Sequence, residues 1–448
     1  MQSVSSPPPR AAIVTLGCKI NTFESAAMAQ SLSRDHWDLV DPSEPASLYI
    51  VNSCTVTAEA DRQTRQIVRR LLRQSPEAQV VLTGCYAQNE AEACAQIPGV
   101  ALVLGNDHKS DVARHVRNLT QTDSSRGIIQ VDRLTGLPPS LLNGFEGKTR
   151  AFLQVQQGCD QSCTFCVIHR ARGPSYSFRT DDILRQAKRF LDGGYRELVI
   201  CGVDLGSFSD GADDSSEDSL ALVRVLERIA ALPGDFLVRL SSIDPAHLTS
   251  ELLDLMGSSG RFCPYLHVSM QSGSTLILKR MKRRYTREDL LNRLLFARKR
   301  IPGLILGGDL MVGFPTESEE DFKASVSLIE EADVIYPHVF PFSARPGTPA
   351  AKIPRQVLKT DRKRRAAELR ACGKGLRDRA LREHVGLARE VLVERENLAI
   401  KSGGYHGRLS NYMPVRLEAD PPAAGERVLS QIIGVDDEVL IARAIAGE

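Results

Sequence analysis

The chain has 448 residues, 42% of them hydrophobic and 25% charged, with a formal net charge of +2 and ten cysteines. That length exceeds one ordinary core and carries enough apolar content for two or three, which excludes a disordered chain and a small disulfide scaffold. No run approaches the ~18 uninterrupted apolar residues of a membrane-spanning helix and no export signal opens the chain. A soluble cytoplasmic protein with no membrane partner is expected, its cysteines acting as ligands or as small buried apolar groups.

Met1 to Arg10 is Ser/Pro-rich and reads as a flexible tail. From Ala11 the chain alternates β-rich apolar runs with amphipathic helical stretches: Ile13–Leu16, Leu48–Val51 and Val80–Thr83. Such alternation predicts a parallel sheet over residues 11–117. Each run ends at or just before a cysteine, namely Cys18, Cys54 and Cys85. The carboxyl ends of parallel strands lie on one edge, where ligands bind, and the spacings fit one βαβ repeat each. The three thiols are therefore expected to meet. Residues 118–148, with Pro138-Pro139 and Asn143-Gly144, read as a linker.

A second domain is expected over 149–385, with strands at Ala151–Gln157, Glu197–Cys201, Phe236–Leu240, Tyr265–Met270, Leu304–Val312 and Val334–Phe340. Helices between them are expected to start near Thr180, Ser219, Pro245, Thr286 and Glu317. Six βα units predict a partial barrel, whose working residues sit at the carboxyl ends of the strands. Directly after the first strand comes Cys159-Asp160-Gln161-Ser162-Cys163-Thr164-Phe165-Cys166. Three thiolates on so short a loop can hold three corners of a four-iron cluster and leave the fourth iron open. Asp204, Gln271 and Asp309 fall at predicted strand ends, either as ligand-binding groups or as ordinary structural polar residues. The histidines His169, His267, His338 and His406 have no metal-ligand spacing among themselves.

Residues 386–448 read as short strands broken by turns, a small all-β barrel. Gly403 to Tyr412 reads within it as a loop; Tyr405, His406, Arg408 and Tyr412 either stack on and grip nucleic acid or belong to an ordinary hairpin. Two helical segments hold most of the basic charge. Lys279–Arg300 has ten Lys/Arg against two acids, and Lys359–Glu383 ten against four. One such run is usually a solvated helix face; two together favour a polyanion.

With both cysteine triads and the terminal barrel in place, the whole chain resembles the radical S-adenosylmethionine (SAM) methylthiotransferases. Thr15 to Asn21, Val51 to Thr57 and Thr83 to Gln88 are similar to that family's N-terminal cluster motifs, and Gly158 to Cys166 to its radical SAM loop. His267 to Gly273 and Asp309 to Glu317 resemble its later strand motifs, and the last domain its RNA-binding TRAM module. The forms around Cys18 and Cys54 are most similar to the branch acting on N6-threonylcarbamoyladenosine beside the tRNA anticodon. Two positions depart from the family: His169 stands where a proline is usual, and Tyr176-Ser177-Phe178 where Arg-Ser-Arg is usual, with an arginine only at Arg179.

The resemblance implies two [4Fe–4S] clusters, one on Cys159, Cys163 and Cys166 that reductively cleaves SAM, and an auxiliary one on Cys18, Cys54 and Cys85 on the sulfur side. It also implies that Phe165 packs near SAM's adenine. Asp204, Gln271 and Asp309, at predicted strand ends, are expected to bond SAM's ribose or amino group, and tRNA and an electron-donor protein are the expected partners of a monomer. The rival readings are the isopentenyladenosine or ribosomal-protein branch, and a non-catalytic RNA-binding protein stabilised by metal. Structural zinc sites are normally closed by four protein ligands, whereas each group here supplies three.

Overall fold

The computed structural model describes residues 8–117, 119, 127–134, 141–210, 220–394, 405–418 and 423–445. Most of the expected tail, and Gly403 and Gly404 of the expected loop, lie outside these. The first domain is a six-stranded parallel sheet of β1 (Arg10–Thr15), β2 (Asp38–Leu39), β3 (Leu48–Ser53), β4 (Gln79–Gly84), β5 (Val100–Leu104) and β6 (Ile128–Gln130), in the order β2-β1-β3-β4-β5-β6. Strand β3 is buried along its whole length because it is covered on both faces. Leu48 and Ile50 pack with Met28 and Leu32 of the helix Lys19–Arg34, while Tyr49 and Val51 pack with Val68 and Leu71 of the helix Ala58–Gln74. Burying each such aliphatic side chain contributes ~1.5–3 kcal/mol, which is why the run is continuous rather than alternating.

The segment 118–148 is not a bare linker. Its residues Ile128–Gln130 form the edge strand β6, and further on Leu142 and Phe145 are buried against the second domain. Leu142 exchanges hydrogen bonds with Gln186 at 2.7 and 3.0 Å, and the Phe145 amide donates to the Tyr195 hydroxyl at 2.6 Å. Phe145 also meets the rings of Phe152, Phe190 and Tyr195 at 5.4–6.4 Å.

The second domain follows the expected six βα units. Strand β7 (Ala151–Gln154) runs on into β8 (Gln156–Gln157), which pairs with β9 (Tyr176–Ser177). Next to β7 come β10 (Glu197–Cys201) and β11 (Leu237–Leu240); then β12 (Ser242–Ile243), β13 (Tyr265–Gln271), β14 (Ile305–Val312) and β15 (Val334–Pro341) form a second parallel sheet. The third barrel strand is thus broken at Ser241, half of it pairing with each sheet. Helices Arg287–Arg300 and Glu319–Glu331 start from reciprocal caps at Thr286 with Asp289 and at Ser318 with Asp321. Each cap is worth ~1 kcal/mol and sets where the helix begins.

The basic helix Lys359–Glu383 packs along β15 and leads into a closed barrel of β16 (Ala388–Val393), β17 (Tyr405–Leu409), β18 (Pro414–Glu418), β19 (Arg427–Asp436) and β20 (Val439–Ala444), ordered β16-β17-β18-β20-β19. The stretch expected as a loop is therefore mostly strand β17, because Tyr405 to Arg408 pair with β18 and Arg408 also pairs with β16. The structure also neutralises part of the charge on the two basic segments. Arg283, Arg287, Arg298, Arg300, Arg364, Arg365, Arg377 and Arg379 all form ion pairs within the chain.

Candidate active site between two cysteine triads

The register places Thr15, Asn52 and Thr83 side by side on β1, β3 and β4. Cys18, Cys54 and Cys85 follow these strands, so the first triad gathers at the carboxyl edge of the sheet. Asn21 stitches that edge together: its Nδ2 donates to the carbonyls of Leu16 at 2.6 Å and Ser53 at 3.0 Å. Gly17 has φ +97, and a Cβ there would stand 3.1 Å from Cys54 Sγ, so only glycine lets the turn close over the thiols. Burial pushes the Cys54 thiol up to about 12, and the neighbouring Cys85 and Cys18 push the same way.

The second triad sits on a loop pinned from several sides. Cys159 N donates to Gly173 O at 3.0 Å, Thr164 N to Met281 O at 3.2 Å, and Thr164 Oγ1 to Arg280 O at 2.8 Å. Gln156 ties the loop to the next strand end: its Nε2 donates to Gly158 O at 2.9 Å while its Oε1 accepts from Asp204 N at 2.9 Å. Burial and then the Asp204 carboxylate push the Cys159 thiol up to about 12, and burial pushes Cys166 up to about 11. Backbone amides point at the sulfurs, Gln161 N to Cys159 and Ile168 N to Cys166, both at 3.4 Å. The His169 amide also lowers the Cys166 thiol. A proline at that position, the family's usual residue, has no such N–H.

This donor set fits an iron–sulfur cluster in each triad. Cysteine thiolates gathered in threes are the ligands iron–sulfur clusters select, and amide donors around sulfur are how proteins tune such clusters. Gly158 carries a testable part of the fit. Its φ is +71, and a Cβ would fall 1.8 Å from Pro174 O. Gly158→Ala should cost about 2 kcal/mol or more, because αL backbone strain adds to a clash with fixed backbone. Chemical denaturation together with iron content per chain would register both the lost stability and the lost loop.

Between the triads lies Arg172, which is buried. Its Nε donates to Cys85 Sγ at 3.2 Å, and its terminal nitrogens bond Glu24 and Asn21. Glu24 also takes Lys109 Nζ at 2.5 Å. Arg172 ends the short helix that follows Cys166, so one guanidinium connects the cysteine loop to the sulfurs of the sheet edge. A second bridge runs from Arg345 to Asp61 at 2.7 Å and to Thr55 Oγ1 at 2.6 Å. On the loop itself Arg283 Nη1 donates to Cys163 Sγ at 3.4 Å while the same guanidinium pairs with Asp244. Arg179, by contrast, is exposed at the start of the helix Thr180–Asp192, its side chain without a partner among the described residues.

Asp204 lies beside Cys159, its Oδ2 3.7 Å from that sulfur and within 3.3 Å of Gln161 Nε2. Phe165 is half-buried against Met281, Met311 and Phe314. Gln271 ends β13 at φ +64 with its Oε1 buried and without a hydrogen-bond partner. Asp309 is committed elsewhere: its Oδ1 lies 3.1 Å from His267 Nε2 and 2.9 Å from His338 Nδ1. Burial alone would raise this carboxyl, and the two imidazoles hold it well below the usual range. That histidine grouping is tertiary, which is why no spacing announces it. The four C-terminal candidates divide. Tyr405 is exposed on β17, His406 is half-buried beside it, and Arg408 stacks at 4.5 Å on Tyr412, which turns inward to stack on Tyr265 at 4.8 Å.

Among known proteins, the "Uncharacterized protein family UPF0004" matches residues 10–105 and the radical SAM superfamily matches residues 153–329. In solved structures the fold is similar to the radical SAM methyltransferase TsrM of Kitasatospora setae, with TM-score 0.53, 17% identity and 76% of each chain covered. The "Threonylcarbamoyladenosine tRNA methylthiotransferase MtaB" of Bacillus subtilis is 32% identical over 94% of this chain and 92% of its own. A "tRNA-2-methylthio-N(6)-dimethylallyladenosine synthase" of Sorangium cellulosum is 32% identical over 97% and 91%. The MtaB of Rickettsia prowazekii is 36% identical over 96% of both chains. Similarity of that extent reaches from the first triad into the terminal barrel, and the chain belongs to the radical SAM methylthiotransferase family.

Proposed function

We propose that the protein adds a methylthio group to carbon 2 of N6-threonylcarbamoyladenosine at position 37 of tRNA, next to the anticodon. The observation that carries this reading is Arg172, which joins the loop of one triad to a sulfur of the other and so makes them parts of one site. Cys159, Cys163 and Cys166 would hold the cluster that works with SAM, and Cys18, Cys54 and Cys85 the auxiliary one. Bound there, these groups supply one-electron chemistry at a carbon whose hydrogen no side-chain base removes near neutral pH. The chain's own residues do the rest. Arg172 and Arg283 donate to a ligand sulfur in each triad, which favours added negative charge on that side. Asp204, beside Cys159, would accept from SAM's ammonium or ribose hydroxyls, with Gln271 at the end of β13 and Phe165 along the adenine.

The domains assigned to these tasks are 11–117 for the auxiliary triad, 149–385 for the SAM triad and 386–448 for RNA. Exposed Tyr405, with half-buried His406 and Arg408 on the same strand, offers the outer RNA contact. The protein works as a cytoplasmic monomer and takes electrons from a separate donor protein; among the described residues no helix is long and apolar enough to cross a membrane. Nucleoside mass spectrometry of tRNA from a deletion strain tests the reading. The methylthio form should disappear, its threonylcarbamoyl precursor should accumulate, and both changes should be reversed by the intact gene. An unchanged methylthio-nucleoside profile would overturn it.

A further inference from the structure

A cavity of about 650 Å³ lies where the barrel strands, the helix Lys359–Glu383 and the terminal barrel meet. Its lining carries six Lys/Arg side chains, Lys19, Arg150, Arg239, Arg370, Lys374 and Arg377, against a single carboxylate, Glu438. Some of this charge is answered within the chain. Glu438 takes Lys374 at 3.2 Å and also Arg377, and Arg150 reaches Glu394 at 2.8 Å. The remainder is not. Lys19 has no ion pair among the described residues, and Arg370 donates only to the carbonyl of Val339, at 2.6 Å. Buried Arg239, by contrast, is answered by Glu197, which it holds with two nitrogens at 2.6 and 3.0 Å; its Nη1 is buried without a hydrogen-bond partner. The buried hydroxyl of Tyr336 on the same wall has none either. A surplus of cations in a partly closed space selects an anion that accepts hydrogen bonds.

Lys19 follows Cys18 directly, so the cavity adjoins the auxiliary triad. In adenine, C2 and C6 flank N1. A base that offers C2 to the triads therefore carries its N6 substituent on the far side of N1, and a threonylcarbamoyl substituent ends in a carboxylate. We infer that this cavity is the subsite for the N6 arm of the substrate base, with Lys19 and Arg370 receiving the carboxylate. The inference rests on the function proposed above and identifies what selects that substrate. An apolar isopentenyl arm would leave the same donors desolvated and unpaired, which gives strong discrimination.

The test measures binding of anticodon stem-loop RNAs to the cluster-loaded protein without SAM, by fluorescence anisotropy. Three RNAs differ only at position 37: threonylcarbamoyladenosine, its neutral carboxamide, and unmodified adenosine. The acid should bind about ten- to a hundredfold more tightly than the amide, the range of one or two charge-assisted hydrogen bonds. Lys19→Gln and Arg370→Gln should each shrink that preference and leave affinity for the unmodified stem-loop within about twofold. Acid and amide binding equally, both above adenosine, would overturn the carboxylate site and leave the substrate reading standing. Equal binding of all three would count against the substrate reading itself. Variants that weaken every stem-loop alike would assign these cations to backbone phosphate and overturn the inference.

Discussion

Glu24→Gln should destabilise the first domain and its docking by about 3–5 kcal/mol, the usual cost of stripping the counter-charge from buried ions. Glu24, Lys109 and Arg172 are all at most 4% exposed, so water cannot take the carboxylate's place. The variant leaves two cations facing each other in a dry pocket. Lys109→Met leaves instead a neutral Arg172–Glu24 pair with its hydrogen bonds intact, and should cost about 1 kcal/mol or less. Burial by itself would raise the Glu24 carboxyl, but Arg172 and Lys109 more than reverse this and hold it below its ordinary value. A lowered folded-state carboxyl stabilises the protein above the unfolded pKa and loses that contribution as pH falls through the folded one. Acid sensitivity from this source should therefore be present in the wild type and absent in Glu24→Gln. Trp37, the single tryptophan, packs against the core of the first domain and reports its unfolding by fluorescence. Equal effects of the two substitutions would show that charge balance is not what holds this joint.

The cysteine edge was legible because each of three strands is followed by a thiol within three residues of its end. Apolar runs of β3 and β4 stand out by composition, and their cysteines follow at once. The Glu24 joint was hidden because charge on a helix is ordinarily read as solvent-facing. Yet Ile20, Glu24, Met28 and Leu32 recur every four residues, a buried stripe with one acid in it, and such an interruption is a legible sign of a buried partner. Arg172 could not be identified in that way, since its partners come from residues up to 151 positions away. Strand β6 was missed because a three-residue edge strand has too little pattern to separate it from a turn-rich segment. Strand β17 was missed because Gly407 and the glycines before Tyr405 imitate a loop, while its pairing with β18 is decided by the closure of the barrel. The cation-lined cavity draws on three domains, so no single stretch of sequence displays it.

Replacing one triad at a time should separate the two halves of the activity. The first triad hangs from the ends of β1, β3 and β4, and the second from a loop pinned to the barrel, so each can be emptied without unravelling the other's scaffold. With Cys18, Cys54 and Cys85 all changed to alanine, anaerobically loaded protein should keep about four of about eight irons and a matching amount of sulfide. It should still cleave SAM reductively, seen as 5′-deoxyadenosine formation, and make no methylthio product. With Cys159, Cys163 and Cys166 changed instead, about four irons should again remain, but SAM cleavage and product should both vanish. The asymmetry follows from geometry. Asp204 lies at the edge of the second triad, where SAM binding is proposed. A merely structural role for the cysteines predicts something different: zinc without sulfide in either variant, no SAM cleavage in the wild type, and loss of RNA binding as the sole defect. Sulfide analysis therefore decides between a catalyst and a metal-stabilised RNA-binding fold before any turnover is measured.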